Sequence, residues 1–144
     1  MTTYNTDALF GSLTGKGRIL VVDDEPDVRR VVRLTLEKHG YDVLEAKDGQ
    51  AAIEAINAGE NCLVVDVVLC DLRMPNMNGI QAIDHLRDRF PHVPVVVLTG
   101  YPDVHMAVSC LRDGVVDYLV KPVDSEQLLA AVSRAMVERE LAWR

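Results

Sequence analysis

The residues best suited to chemistry in this sequence are carboxylates that stand where apolar runs stop. "RILVVDD" ends on Asp23 and Asp24, with Glu25 next, and "VVDVVLCD" ends on Asp71. Two more runs end on other polar groups: "VPVVVLTG" on Thr99 and Gly100, and "VDYLV" just before Lys121 and Pro122. One such acid is ordinary, because a strand has to run out into polar surroundings somewhere. A carboxylate at the edge of a buried run is nonetheless costly unless it is exposed, paired or bound to a metal. Three carboxylates, a hydroxyl and an ammonium, gathered from the ends of four separate runs, are much harder to attribute to chance. Brought together, the three aspartates repel one another, so they take up protons or share a cation. Hard oxygen donors with water in the remaining positions suit Mg²⁺. A carboxylate beside an ammonium and a hydroxyl can also meet a phosphoryl group, whose oxygens need positive charge and hydrogen-bond donors. Attack by that carboxylate yields an aspartyl phosphate.

The elements that must position these groups are legible from periodicity. After a polar, glycine-containing lead-in over residues 1–16, "RILVVDD" reads as a first strand. "EPDVRRVVRLTLEKHG" reads as a helix with Val28, Val31, Val32, Thr35 and Leu36 on one face and Gly40 as its stop. "YDVLEA" and "DGQAAIEAINAGEN" supply a second strand and a short alanine-rich helix. "CLVVDVVLCD" is the third strand, and "GIQAIDHLRDRF" a helix that buries Ile80, Ile83 and Leu86. "VPVVVLTG" is the fourth, followed by a helix opening on Pro102 and stopping at Gly114. "VDYLV" is the fifth, and a last helix starts at Asp124, with Gln127 completing a capping-box pattern, and passes through Leu128, Leu129, Val132 and Met136. Strand and helix alternating five times predict an α/β fold, a parallel sheet with helices on both faces. Ligands of such sheets sit beyond the carboxyl ends of the strands, which is where Asp23, Asp24, Asp71, Thr99 and Lys121 fall.

Composition narrows the function classes. The 144 residues fit one domain with a real core. Fifteen basic against 22 acidic residues give a formal charge of −7, which disfavours direct nucleic-acid binding and attachment to anionic membranes. Cys62, Cys70 and Cys110 are odd in number and lack metal-ligand spacing. They read as small buried residues in a reducing compartment, and the expected location is the cytoplasm. No stretch resembles a signal peptide or a membrane span.

Taken in order and with their spacing, "VVDDEP", "DLRMPNMNG", "TG" and "DYLVKP" resemble the receiver domain of two-component response regulators. The resemblance covers roughly residues 17 to 140, leaving 1–16 as a flexible segment and 141–144 as the end of the last helix. It implies a single-domain, doubly wound (βα)5 flavodoxin-like fold with strand order 2-1-3-4-5. Asp71 matches the phosphoacceptor, Asp24 the direct Mg²⁺ ligand, and Asp23 the acid that holds the ion through water. The backbone carbonyl of Arg73 matches the third protein ligand. Thr99 and Lys121 match the switch hydroxyl and the phosphate-binding lysine, and Tyr118 the aromatic whose rotamer reports phosphorylation. Glu25 is expected to be a neighbour of the site rather than a ligand. The Lys121–Pro122 bond is expected to be cis. Two departures stand out: the segment between the second helix and Asp71 is a few residues longer than usual, and Gly100 replaces a frequent alanine.

The function so implied is a signalling switch, not a metabolic enzyme. It accepts a phosphoryl group from a sensor histidine kinase or a histidine phosphotransfer protein and slowly hydrolyses the product. His39, His85, His92 and His105 lie outside the motifs, so the donor is another molecule. The resemblance also implies a homodimer face on the fourth helix, fifth strand and fifth helix, and an output partner or output domain of unknown identity. The alternative is a Mg²⁺-dependent phosphohydrolase working through an aspartyl phosphate. Such hydrolases place a second acid two residues after the nucleophile, where this chain has Arg73.

Overall fold

Valine-rich strands that are apolar at every position cannot leave one face in water, and here both faces are covered. The computed structural model describes residues 16–58, 65–72 and 79–142. Its strands are β1 (Gly17–Val22), β2 (Tyr41–Ala46), β3 (Val67–Cys70), β4 (Val95–Thr99) and β5 (Asp117–Val120). The helices between and after them are α1 (Pro26–Lys38), α2 (Gly49–Asn57), α3 (Gly79–Arg89), α4 (Val104–Arg112) and α5 (Ser125–Ala142). All strand pairs are parallel and the order is β2-β1-β3-β4-β5, the order implied by the sequence resemblance.

The pleat divides the core in two. Leu20, Val22, Val68, Cys70, Val95 and Val97 point to one side, where α2, α3 and α4 contribute Ile56, Leu86 and Cys110. Ile19, Val21, Val67, Leu69, Val96 and Leu98 point to the other, where α1 contributes Val32 and Leu36 and α5 contributes Leu128 and Val132. Cys70 and Cys110 are buried thiols, as the sequence suggested, whereas Cys62 lies outside the described residues. No helix among the described residues is long and apolar enough to cross a membrane.

Several sequence expectations shift. The buried stripe of α1 is Val28, Val32 and Leu36, at four-residue steps, while Val31 is 63% exposed. One position is about 100° of helix, enough to turn Val31 past the sheet. The third strand begins at Val67 rather than Cys62, and residues 59–64 lie outside the described residues. Asp66 precedes it and spends its carboxylate on the backbone N–H of Arg18 at 2.9 Å. α4 starts at Val104, not Pro102, because Asp103 caps it by accepting from the Met106 N–H. α5 starts one residue late, at Ser125, with Asp124 accepting from the Gln127 N–H at 2.8 Å. Of the expected lead-in over 1–16, only Lys16 is among the described residues.

The order of strands positions the site. From β1 the chain moves one way to β2, then returns past β1 to β3 on its other side. This leaves a crevice between the carboxyl ends of β1 and β3, the place where such sheets bind ligands. β3 is the central strand, and Leu69 on it is 1% exposed. Leu69→Ala should destabilise the fold by about 2–5 kcal/mol. The check is urea unfolding, with the midpoint lowered and the slope unchanged.

Candidate functional site

Asp71 follows β3 directly, and its N–H donates to the Val22 carbonyl of β1 at 3.0 Å. Asp23 follows β1, with its N–H donating to the Ala46 carbonyl at the end of β2. The two acids are thus fixed across the crevice by sheet hydrogen bonding that continues past the strand ends. Both are almost fully buried, at 4% and 2% exposure, while Asp24 and Glu25 are exposed. One carboxylate oxygen from each of Asp23, Asp24, Glu25 and Asp71 lies within 4.8 Å of the others.

Lys121 enters this cluster from the far side. Its N–H donates to the Thr99 carbonyl at 2.8 Å, tying the end of β5 to the end of β4, and the following bond to Pro122 is cis, as expected. The ammonium lies 2.7 Å from Asp23 Oδ2, 2.9 Å from Asp71 Oδ2 and 3.3 Å from Glu25 Oε1. Burial alone would lower its pKa, but contact with Asp23 and Asp71 outweighs it and holds the ammonium above its usual range. Burial raises the Asp23 pKa, opposed by Lys121 and by the Glu25 N–H that donates to Asp23 Oδ1 at 2.9 Å. Burial also pushes the Cys70 thiol far up, with the Asp71 and Asp23 charges adding to it, so Cys70 stays protonated and inert.

The cluster therefore holds four carboxylates on one ammonium. That is a donor set of hard oxygens with surplus negative charge, which fits a divalent cation such as Mg²⁺. Glu25 is a neighbour of the site, as expected: α1 opens right after it at Pro26, and its Oε1 lies 3.3 Å from the Lys121 ammonium. Arg73 lies outside the described residues.

Thr99 ends β4 at 0% exposure, and its Oγ1 accepts from the Tyr101 N–H at 3.1 Å. A methyl group on Gly100 would meet Lys121 Cδ at an ordinary 3.7 Å, so alanine would fit there equally well. Tyr118 is half-buried on β5 and sits apart from the acid cluster. Its hydroxyl accepts from the N–H of Asp103, the cap of α4, at 3.4 Å. Sequence reasoning missed the Glu25–Lys121 ion pair and every partner of Arg29. Both depend on how α1 is seated, which no local pattern records.

The family model of the response regulator receiver domain matches residues 19–133. The regulatory protein AtoC of Escherichia coli is 38% identical over 124 residues, 86% of this chain and 26% of AtoC. The DNA-binding transcriptional regulator NtrC of the same organism is 34% identical over 121 residues, 84% of this chain and 25% of NtrC. The chain thus spans about a quarter of the length of these curated relatives. Among solved structures, a response regulator receiver domain protein from Clostridium thermocellum superposes with a TM-score of 0.81 at 32% identity, covering 88% of this chain and 98% of that one. NtrX from Brucella abortus superposes with a TM-score of 0.78 at 31% identity, covering 86% of this chain and 28% of NtrX.

The charge balance of the cluster sets a test. Lys121, with its pKa raised in the fold, contributes its full stabilisation below about pH 10, the ordinary lysine range. Lys121→Met, measured without divalent cations, removes the ammonium shared by Asp23 and Asp71 and should cost about 3 kcal/mol at pH 7. The folded variant then holds a proton on Asp23 more readily than the unfolded chain does, because burial raises the Asp23 pKa and the opposing lysine is gone. Its stability should recover as pH falls through the raised pKa of Asp23. Thermal unfolding at pH 7 and pH 5 checks this: the deficit relative to wild type should shrink at pH 5, and a constant deficit would contradict it.

Proposed function

The chain belongs to the response regulator receiver domain family, and from that premise we propose that it is a phosphorylation-controlled switch carrying its phosphoryl group on Asp71. The observation that supports this best is the single ammonium of Lys121 set between the buried carboxylates of Asp23 and Asp71. In the proposed reaction an Asp71 carboxylate oxygen attacks phosphorus and the bond to the donor nitrogen of a phosphohistidine breaks. The donor imidazole departs with the electron pair of that bond, and Lys121 meets a phosphoryl oxygen. Water later cleaves the acyl phosphate, returning the Asp71 carboxylate and inorganic phosphate.

Asp24 would hold Mg²⁺ directly, Asp23 through water, with Asp71 and the backbone carbonyl of Arg73 completing the protein ligands. When bound, the ion supplies positive charge that offsets the crowding of acids and phosphoryl oxygens. Asp23 is fixed for this task by its bond from the Glu25 N–H, which leaves its second oxygen turned toward the cluster. The hydroxyl of Thr99, at the adjacent strand end, is the second group we assign to the phosphoryl oxygens. Its movement toward them would make room for Tyr118 to turn inward. That turn would release the Tyr118 hydroxyl from the Asp103 N–H and so loosen the start of α4, a local charge event read at a distance.

The donor we propose is a sensor histidine kinase or a histidine phosphotransfer protein. A groove of about 610 Å³ beside Lys121, lined by Val28, Val31, Tyr101 and Pro122 together with Glu25 and Asp27, would give such a donor a largely apolar seat near Asp71. The switched face would be α4, β5 and α5. Val104, Val108 and Leu111 on α4 and Val120 on β5 are exposed there, and Arg134 pairs with Asp117 across α5 and β5. A second copy docking on that face would bury these aliphatic side chains, and readout would pass to an output partner or an attached domain. The phosphohydrolase reading has less support, because an arginine stands at position 73 where a second acid is needed.

Asp71→Asn tests the assignment directly, since an amide is a poor nucleophile. Incubated with acetyl phosphate and Mg²⁺, wild type should gain one phosphate in intact-mass spectra and the variant none. An undiminished adduct on the variant would place the phosphoryl group elsewhere.

A further inference from the structure

The loop that carries Asp23, Asp24 and Glu25 has to turn from strand to helix while aiming like charges into one small volume. Little in the loop itself enforces that turn. Glu25 stands at the N-cap of α1 but makes no side-chain cap hydrogen bond, and Pro26, at the start of the helix, has no N–H to give. Asp23 contributes one internal tie, the bond from the Glu25 N–H to its Oδ1. Repulsion among the acids acts to open this loop outward.

The counter-hold comes from Arg29, one turn into α1. Its Nη1 donates to the backbone carbonyl of Asp23 at 2.8 Å, and its Nε donates to Glu45 Oε1 at 2.8 Å. Glu45, near the end of β2, is held in turn by Arg33, whose Nε lies 2.8 Å from Oε2. Arg33 also pairs with Glu37 on the next turn of the helix. The guanidinium therefore spans the loop and the neighbouring strand at once, with its side chain only 19% exposed. A planar fork fixed at both ends sets an orientation that a flexible ammonium does not.

We propose that Arg29 is a positioning residue for the cation site: by clamping the Asp23 carbonyl against Glu45 of β2 it holds the Asp23 and Asp24 carboxylates in the geometry that binds a divalent ion. This rests on reading the acid cluster as a Mg²⁺ site. The sign of the effect separates this role from that of a nearby charge. By Coulomb's law alone, deleting a cation near a cluster of acids strengthens binding of another cation. Deleting a clamp weakens it, and loss of a residue that orients metal ligands typically costs tenfold or more in affinity.

The experiment is a Mg²⁺ titration of the purified, unphosphorylated chain, followed by backbone amide chemical shifts, with thermal unfolding recorded for every variant. Arg29→Ala should bind Mg²⁺ roughly tenfold more weakly than wild type. Arg29→Lys, which keeps the charge and most of the bulk, should also bind more weakly. It decides the matter should the alanine variant not fold. Arg30→Ala removes the same charge from the exposed side of the same turn and should bind as tightly as wild type or more tightly. Tighter binding by Arg29→Ala together with unchanged binding by Arg29→Lys would overturn the proposal and leave Arg29 a local charge. Wild-type affinity in both, with only lowered melting temperatures, would overturn it as well and leave Arg29 structural. A wild type that binds no Mg²⁺ at all would instead fail the reading of the site itself, and this inference with it.

Discussion

Everything at this site depends on one ammonium among four carboxylates. Two of those acids, Asp23 and Asp71, are buried, and buried like charges in contact cannot all remain ionised without a counterion. Lys121 supplies that counterion from a different strand end, within 2.9 Å of both. Its own desolvation works against it, and the pairing with the acids more than repays the loss. The arrangement is electrostatically unfinished, with more negative charge than one lysine neutralises. It is therefore suited to take up a divalent cation and then to exchange lysine–carboxylate contacts for lysine–phosphoryl ones.

The sheet makes this crowding tolerable by being rigid elsewhere. β1 and β3 are sealed on both faces by interleaved Val, Ile and Leu, so the ends that carry Asp23 and Asp71 cannot relax apart. The parts suited to respond lie at the periphery. Tyr118 bridges β5 to the cap of α4 through a single long hydrogen bond, and α4 has only Cys110 in the buried core. A stiff centre beside a lightly packed helix is the arrangement through which the proposed change of charge would reach a distant face.

Much of this was legible in the sequence, for a definite reason. Strand ends announce themselves where a valine run meets a charge, and the topological rule for parallel sheets sends those ends to one edge. Asp23, Asp71, Thr99 and Lys121 needed no further information, and the family resemblance then supplied strand order and roles. What stayed hidden depends on how elements are seated against one another. Val31 belongs to a valine-rich stretch that is wider than the strip of α1 touching the sheet, so periodicity alone could not set it outside. Glu25 became a partner of Lys121, and Arg29 a bridge to Glu45, only once α1 was docked beside β2. The helix starts were misplaced by a residue or two where a capping aspartate, rather than the proline before α4, decided the boundary.

The central claim is that Lys121 exchanges partners when the site is loaded. A crystal structure of the protein with Mg²⁺ and fluoroberyllate, a mimic of a phosphoryl group on aspartate, tests it most directly. The account predicts the mimic on Asp71, the ion among the acids, and Lys121 Nζ released from Asp23 to contact a fluoride. A structure with Lys121 still bound to Asp23 and the mimic seated away from Asp71 would contradict it.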